Sequence, residues 1–300
     1  MSFIERALEK VRNAERDTTG KGGAARLDRP GTQEPGQARA RSTQAPEPVR
    51  PRVVVNPAVA VSDELLREAG VLAAPDDVHQ QAAEFRSIKR ELLNDIADGD
   101  GRRRLVMVTS ALSAEGKTFT AVNLALSLAL EQDWSVLLVD ADIIKPALSK
   151  MLGLQGRQGL LDAALDSSVD VNSLILTTSV PGLSVIPAGR PDPHASEYFA
   201  SERMDVIWRA LLADPRRIVV IDSLPVLLTS EAPALTQHVH NVLMVVRAER
   251  TPQAAVRDAI ERLGERAEIR LVLNAEEKFG PKDGYYYGYN YEYNYRADNQ

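Results

Sequence analysis

The chain has no cysteine and only four histidines among its 300 residues. Without cysteine, neither a disulfide framework nor a thiolate metal site is available, and four scattered histidines do not favour a dedicated transition-metal centre. No apolar run reaches the ~18 to 20 residues that span a bilayer, and the N-terminal segment lacks the apolar core of a signal peptide. These absences predict a cytoplasmic protein without a transition-metal cofactor.

The chain also has fewer positive than negative residues. The 36 Lys and Arg residues are outnumbered by 42 Asp and Glu residues, which gives a formal net charge of −6 and a pI of about 5.4. An acidic chain has no overall electrostatic attraction to nucleic acid or to an anionic membrane. We therefore expect small-molecule or protein partners and no nucleic acid.

Large apolar residues are scarce in the N-terminal part of the chain. Residues 1–16 place Phe3, Ile4, Leu8 and Val11 on one helical stripe, which predicts a short amphipathic helix. Residues 17–57 are rich in Gly, Pro, Gln and Arg and cannot bury enough surface to offset the entropy of ordering, so they predict a disordered linker. A folded domain is expected over 58–274, followed by a flexible tail over 275–300.

Short β-branched apolar runs alternate with amphipathic helical patterns through the folded domain. The runs predict strands at 104–110, 135–140, 183–189, 217–222, 241–247 and 269–274. The helical patterns lie at 62–70, 76–97, 118–132, 197–213 and 251–265. This alternation predicts an α/β fold with a mainly parallel sheet flanked by helices.

The segment "TSALSAEGKTFT", residues 109–120, follows the strand predicted at 104–110 and opens a helix near Lys117. Such a loop directs backbone N–H groups and the helix N-terminus at phosphates, while the lysine reaches the β/γ oxygens and the Thr118 hydroxyl can ligate Mg²⁺. The motif departs from G-x-x-x-x-G-K-[ST] because Ala111 replaces the first glycine. It predicts a nucleotide-binding loop of Ser113, Ala114, Glu115, Gly116, Lys117, Thr118 and Phe119.

Three aspartates end or follow two of the predicted strands. Asp140 and Asp142 stand in "VLLVDADIIKP", and Asp222 stands in "RIVVIDSLP". Each could instead cap a following helix. However, the carboxyl ends of parallel strands converge on one crevice, and carboxylates there commonly organise Mg²⁺ around a nucleotide. Together with the loop at 109–120, they favour a nucleotide site.

Tyrosine is rare until the C-terminus. Tyr198 is the only one outside the last sixteen residues, which hold the other seven of the eight. The cluster consists of Tyr285, Tyr286, Tyr287, Tyr289, Tyr291, Tyr293 and Tyr295.

The three motifs resemble the Walker A, A′ and B motifs of bacterial tyrosine kinases, and the tyrosine cluster resembles the autophosphorylation tail of that family. The resemblance covers residues 76–300 and implies a P-loop NTPase fold of the SIMIBI/MinD-like class. "MSFIERALEK", "DADIIKP" and "IPAGRPDP" are most similar to the exosortase-associated (XrtA-type) tyrosine autokinases of exopolysaccharide gene clusters.

The resemblance implies ATP and Mg²⁺ as cofactors and the seven tail tyrosines as the phosphorylated groups. Lys117 and Thr118 would bind phosphate and Mg²⁺, Asp142 and Asp222 would hold the metal, and Asp140 would accept the tyrosine proton. The family transfers phosphate between subunits of a homo-oligomer. Its Glu-x-x-Arg-x-x-Arg assembly helix is altered here, because the corresponding positions are Ala83, Arg86 and Lys89.

By the same resemblance, the partners would be a membrane polysaccharide chain-length (co-polymerase) protein and a phosphotyrosine phosphatase. The first would recruit the chain to the inner face of the cytoplasmic membrane. The implied role is regulation of exopolysaccharide biosynthesis and export.

Two other hypotheses remain open at this point. A positioning ATPase of the ParA/MinD type shares all three motifs, although it carries a second lysine where this chain has Leu112. Alternatively, the tyrosine-rich tail could serve as an assembly or binding module, because aromatic low-complexity segments self-associate.

Overall fold

The computed structural model describes residues 59–71, 78–97, 99–192 and 195–275. The helix predicted at 1–16, the linker predicted at 17–57 and all of the predicted tail except Ala275 lie outside these residues.

The described residues form helices and strands that alternate along the chain. The helices are α1 (Asp63–Glu68), α2 (Val78–Ala97), α3 (Lys117–Ala129), α4 (Ala147–Met151), α5 (Leu160–Leu165), α6 (Ala195–Phe199), α7 (Glu202–Leu211), α8 (Glu231–Thr236) and α9 (Gln253–Leu263). The strands are β1 (Leu105–Ser110), β2 (Ser135–Asp140), β3 (Leu176–Thr177), β4 (Leu183–Ile186), β5 (Arg217–Pro225), β6 (Asn241–Arg247) and β7 (Glu268–Asn274). Short 3₁₀ helices cover Gly101–Arg104 and Val171–Leu174.

The strands form one sheet in the order β3-β4-β2-β5-β1-β6-β7. Every neighbouring pair is parallel except β3 and β4, which run antiparallel. The predicted α/β fold with a mainly parallel sheet is confirmed. The two-residue strand β3 was not predicted, because so short a segment shows no periodicity.

Both faces of the central strands are buried, which explains their nearly continuous apolar runs. In β1, Leu105 and Met107 pack into one core cluster, whereas Val106 and Val108 pack into the other. The first cluster is covered by helices α5 to α9, and the second is covered mainly by α1, α2 and α3. The sheet is therefore a layer between two groups of helices.

Several boundaries differ from those predicted, and for three of them the structure shows the reason. The strand predicted at 183–189 ends at Ile186, because the carbonyls of Pro187 and Ala188 accept hydrogen bonds from the first residues of α5 instead of a strand. The helix predicted at 197–213 is interrupted before α7, where Ser201 has an extended backbone. Strand β5 continues three residues beyond the predicted end at 222, since Val226 N–H still pairs with Ser110 O at 2.8 Å.

Among the helices within the described ranges, none is both long enough and apolar enough to cross a membrane.

Candidate active site

The sheet register brings the three predicted motifs together. Asp140 at the end of β2 is the direct partner of Asp222 on β5, and Val108 of β1 pairs with Asp222 from the other side. Because β2, β5 and β1 are neighbours and run parallel, the two aspartates and the loop after β1 lie at one edge of the sheet. This is the carboxyl edge, where open α/β sheets bind ligands.

The loop after β1 has the backbone of an anion-binding turn. Ala114 and Gly116 both have positive φ angles, 61° and 98°, and α3 begins at the next residue, Lys117. No side chain caps the N-terminus of α3, so its first backbone N–H groups are available to an anion. Positive φ is strained for alanine, which explains why a glycine would suit position 114 better.

A buried glutamate fixes the shape of this loop. Glu115 is 3% exposed, and its Oε2 accepts a hydrogen bond from Leu112 N–H at 2.9 Å, closing the loop on itself. Its Oε1 accepts a hydrogen bond from the Thr251 hydroxyl, which in turn accepts one from Arg247 N–H at 3.0 Å. The Glu115 side chain is therefore used to hold the loop in shape, so that of Glu115 only the backbone N–H remains for a nucleotide.

The ends of β6 and β7 hold the same loop from the side. Arg247, the last residue of β6, donates from its guanidinium to Ala114 O at 3.0 Å. Asn274, the last residue of β7, donates from Nδ2 to Glu115 O at 2.8 Å. A Cβ added to Gly116 would lie 2.0 Å from that Asn274 Nδ2, so any other residue at position 116 would displace the Asn274 side chain from the loop and would also be strained by the φ angle.

We expect Gly116→Ala to lower the free energy of unfolding by about 2 to 4 kcal/mol, because both the φ strain and the contact with Asn274 act against the extra methyl group. Urea unfolding measures this change. Gly153→Ala is the matched control, since Gly153 has a φ of 66° but open space around its Cβ, and it should show only the φ cost of about 1 to 2 kcal/mol. Equal losses in the two variants would show that the Asn274 contact does not constrain the loop.

Asp140 is fully buried and is held by three hydrogen bonds. Its Oδ1 accepts from Asp142 N–H at 3.1 Å, and its Oδ2 accepts from Ser149 N–H and from the Ser149 hydroxyl at 2.8 and 2.7 Å. Burial raises the pKa of Asp140 to about 6, although these hydrogen bonds favour its charged form. Asp140 is therefore oriented firmly and has a proton affinity close to that of a general base that works near neutral pH.

Ser149 was not predicted as a site residue from the sequence. It lies in α4 and is 3% exposed. Its hydroxyl also accepts a hydrogen bond from Ala188 N–H at 3.0 Å, so it links Asp140 to the segment after β4.

Asp142 is also buried, at 8% exposure, and its Oδ1 accepts a hydrogen bond from Lys145 N–H at 2.9 Å. Burial raises its pKa, while that hydrogen bond and the nearby charge of Lys117 oppose the rise. Asp142 therefore closes a local turn and faces the lysine of the loop at the same time.

Asp222 differs from both, because neither of its carboxylate oxygens accepts a hydrogen bond from any described residue. Burial raises its pKa to about 8, and the charge of Asp140 adds to that rise. The Thr118 hydroxyl and the Lys117 ammonium oppose it, although Thr118 lies outside hydrogen-bonding geometry. A buried carboxylate without a partner is costly, so Asp222 keeps its proton near neutral pH unless a cation stabilises the charged form.

The donor set around Asp222 fits Mg²⁺. Thr118, Asp142 and Asp222 offer oxygen atoms alone, which are the ligands that a small divalent cation prefers. A cation bound there would give the two orphaned oxygens of Asp222 the partner that they lack among the described residues.

The remaining predicted loop residues are divided by exposure. Ser113 and Ala114 are exposed, Thr118 is half-buried and Lys117 is 8% exposed. The Phe119 ring packs against the Phe85 ring of α2, with the ring centroids 5.9 Å apart. Its side chain thus belongs to the core, and only its backbone remains for a nucleotide. The seven tail tyrosines lie outside the described residues.

A second group of possible metal ligands lies at the opposite edge of the sheet. Asp95, His240 and Glu268 have ligand atoms within 4.8 Å of one another. Arg270 pairs with both carboxylates and Arg103 pairs with Asp95, so their negative charge is already balanced within the described part of the chain.

Comparisons with known proteins show similarity to P-loop NTPases and, among them, to bacterial tyrosine kinases. A family model described as ParA, NUBPL iron-transfer P-loop NTPase, matches residues 102–212. The chain is 27% identical over 197 residues to the tyrosine-protein kinase YwqD of Bacillus subtilis, covering 65% of this chain and 81% of YwqD. It is 30% identical to the solved kinase domain of VpsO, covering 72% of this chain and 98% of that domain, with a TM-score of 0.55.

The chain belongs to the bacterial tyrosine kinases. The kinase domain of Escherichia coli ETK shares the fold, with a TM-score of 0.57 and 24% identity over 69% of this chain and 80% of that one. The predicted P-loop NTPase fold is thereby confirmed. The chain spans only 24% of the length of the tyrosine-protein kinase Wzc of Salmonella typhi, to which it is 29% identical over 183 residues.

The three positions that correspond to the family's Glu-x-x-Arg-x-x-Arg pattern lie in α2. Ala83 and Arg86 are exposed, but Lys89 donates to Ser127 O at 3.2 Å and pairs with Glu131 at 2.6 Å. Lys89 is therefore engaged with α3 of its own chain, which leaves Arg86 as the exposed cation of the three positions.

Proposed function

We propose that the chain is an ATP- and Mg²⁺-dependent protein tyrosine kinase that phosphorylates its own C-terminal tyrosine cluster. The observation that carries this proposal is the unpartnered, buried carboxylate of Asp222 beside Lys117 and the uncapped N-terminus of α3. Membership in the family supports the kinase assignment, and the tyrosine cluster at 285–295 supplies a substrate within the same chain.

The nucleotide would bind across the loop at 113–119 with its phosphates at the N-terminus of α3. The backbone N–H groups of that loop and the Lys117 ammonium offset phosphate charge in a partly buried setting, where such interactions are strong. The supports from Glu115, Arg247 and Asn274 keep the loop in this form before the nucleotide arrives.

Thr118, Asp142 and Asp222 would hold Mg²⁺. Bound there, the ion would neutralise charge on the nucleotide phosphates and help to orient the group that is transferred. Asp222 contributes the charge, since the protein gives its oxygens no other partner among the described residues.

Asp140 would act as the base. The tyrosine oxygen forms a bond to the γ-phosphorus, the bond between that phosphorus and the β–γ bridging oxygen breaks, and ADP leaves. The phenolic proton passes to Asp140, whose pKa of about 6 lets it accept a proton late in the transfer. Ser149 and the backbone of Asp142 hold the carboxylate in place for this step.

The position of Asn274 supports the tail as substrate. It ends β7 at the edge that carries the loop and contacts that loop directly, so the tail leaves the domain beside the candidate site. At ~3.4 Å per residue, the chain from Asn274 to Tyr295 reaches at most ~70 Å, which suffices for its own site or that of a neighbour. Following the family, we assign transfer between the subunits of a homo-oligomer.

Mass spectrometry of the purified protein with and without Mg-ATP tests this function. We expect several phosphates within residues 285–295 after incubation, and none in a variant with all seven tail tyrosines replaced by Phe. Binding of Mg-ATP with no phosphotyrosine anywhere in the chain would refute the kinase assignment.

In the cell, the proposed activity would regulate exopolysaccharide biosynthesis and export. Similarity to the XrtA-type autokinases supports this role, with a membrane co-polymerase protein as the recruiting partner and a phosphotyrosine phosphatase to reset the tail. Co-purification of the chain with a membrane protein of its own gene cluster, and its loss on deletion of residues 1–16, would test the recruitment.

A positioning ATPase is the second candidate, because the family model that matches residues 102–212 is that of ParA-type proteins. Leu112, which stands where such ATPases have a second lysine, is the residue that argues against it. ATP hydrolysis at a steady rate without phosphotyrosine would favour this candidate. A tail that assembles the protein without being phosphorylated would instead favour the binding-module hypothesis.

A further inference from the structure

The sheet ends at β7 with an uncovered apolar edge. Within the described residues β7 pairs only with β6, so no other strand pairs with its outer backbone groups. Leu271 and Leu273, which project on the same side of the strand, are 55% and 57% exposed. Ile269, further back on that side, packs against the cluster that contains Ala259 and Leu263 of α9.

Such an edge normally carries protection against pairing with other chains. Natural edge strands are short or carry charged residues and proline, because a free row of N–H and C=O groups is a template for another strand. In β7 the charged residues Glu268 and Arg270 lie in the first half of the strand, whereas the stretch Leu271–Asn274 contains no charge and no proline. The edge therefore has the chemistry of a site for strand addition.

The segment that follows β7 has the pattern of a strand. Between residues 285 and 295, every odd position is tyrosine: Tyr285, Tyr287, Tyr289, Tyr291, Tyr293 and Tyr295. In an extended chain, alternate side chains point to the same face, so these six rings would form one aromatic face. The opposite face would carry mainly Gly288, Asn290, Glu292 and Asn294.

The connection is long enough for this segment to return along β7. Residues 275–284 separate the two, and they contain Gly280-Pro281 and Asp283-Gly284, which are typical turn formers. A connection at one end of a strand returns the chain antiparallel to it. The same chain is therefore the nearest available source of a pairing strand.

We propose that residues 285–295 of the unphosphorylated chain add to the free edge of β7 as an antiparallel strand, with the tyrosine face on Leu271 and Leu273. The apolar pattern sets the register, because a shift by one residue would turn the tyrosines to the other face of the sheet. The exposed leucines gain a cover, and the tyrosines gain an apolar surface and backbone hydrogen bonds.

This arrangement would hold the tyrosines away from the candidate site. Strand β7 reaches the loop edge at Asn274, so a strand antiparallel to it runs toward the opposite edge of the sheet. Phosphorylation of alternate tyrosines would place several charges of about −1.5 to −2 each on an apolar surface and would remove the strand. This last step rests on the proposed kinase function, whereas the pairing itself does not.

Hydrogen–deuterium exchange of the full chain, treated with a phosphatase and kept free of ATP, tests the pairing. We expect backbone amides within 285–295 to exchange roughly ten-fold more slowly than in the double variant Leu271→Glu/Leu273→Glu. Both leucines are exposed, so this variant should still fold. Val206→Glu is the matched control, since Val206 on α7 is also exposed, at 46%, and this variant should exchange like the parent.

Equal, rapid exchange of the tail in the parent and in the double variant would overturn the proposal. Protection that disappears on hundred-fold dilution would also overturn it, because the tail would then pair with a second copy. Protection that survives dilution and is lost after incubation with Mg-ATP would support both the pairing and the kinase function. Protection that survives dilution in a chain that forms no phosphotyrosine would keep the pairing and reject the kinase function.

Discussion

Replacing Lys117 by methionine is expected to lower the rate of tail phosphorylation by a factor of about 10² to 10³ or more. Lys117 is 8% exposed and lies close enough to Asp142 and Asp222 for its charge to oppose the rise in the pKa of both. Its ammonium is thus a positive charge that acts on aspartates of both other motifs. Methionine keeps most of the length of the side chain but cannot offset the charge that develops on the transferred phosphate.

The matched control is Lys150→Met, which removes an exposed lysine from α4, the helix that also carries Ser149. The rate should be measured as phosphotyrosine per chain over time, with protein from a host that lacks other tyrosine kinases. We expect the control to keep the parent rate. Undiminished phosphotyrosine in Lys117→Met would show that another group binds the phosphates and would contradict the assignment of residues 113–119 as the nucleotide-binding loop.

The convergence of Asp140, Asp222 and the loop could be predicted from the sequence. Their strands are buried on both faces and are therefore marked by nearly continuous apolar runs, and the carboxyl ends of parallel strands lie at one edge. The prediction needed only the ends of the strands, not their order. The register then placed Asp140 directly opposite Asp222, which the sequence could not show.

The residues that support the site were not predictable in the same way. Ser149 hydrogen-bonds to Asp140 from nine positions further along the chain, and nothing in its local sequence pattern marks it. Arg247, Thr251 and Asn274 reach the loop only because β6 lies beside β1 and β7 beside β6, which is a property of strand order. Of these, Arg247 and Asn274 had a usable signal, because each is a polar residue at the end of a predicted strand.

The side-chain direction of Phe119 also could not be predicted from the sequence. It belongs by position to the nucleotide-binding loop, but on α3 it lies on the side that meets Phe85 of α2. Helical periodicity alone does not say which residues of a first turn face a ligand and which face the core. The contrast with Lys117, two residues earlier, depends on how α2 packs over α3.

Asp222→Asn is expected to have opposite effects on the metal-free and the nucleotide-bound protein. In the metal-free protein, the carboxylate of Asp222 is buried with no hydrogen-bond partner among the described residues and lies opposite Asp140. A neutral amide of the same shape removes that repulsion and much of the cost of burial. With Mg-ATP present, the same variant should lose most of the thermal stabilisation that the parent gains, because the proposed ligand of the metal is missing.

The pKa of Asp222 predicts how the stability of the metal-free protein changes with pH. The pKa of Asp222 is raised to about 8 in the folded chain from an ordinary value of 3.8, so between these values the folded state keeps a proton that the unfolded state has lost. The stability contributed by that proton is present at low pH and is lost as the pH rises toward about 8. The pKa of Asp140 is raised to about 6, so Asp140 adds a further loss of stability as the pH rises toward about 6.

Urea unfolding in the presence of a chelator should therefore show the parent losing stability from about pH 4 to about pH 8, with a shallower loss in Asp222→Asn. At about pH 8, we expect the variant to be more stable than the parent by on the order of 2 to 4 kcal/mol. Asp162→Asn is the contrasting control, because Asp162 is buried but paired with Arg190 and with the backbone of Gly159, so its replacement should destabilise the fold. A destabilised Asp222→Asn would mean that the carboxylate already has a partner in the metal-free protein. The site would then have no electrostatic need for the cation, and the argument for Mg²⁺ at Asp222 would fail with it.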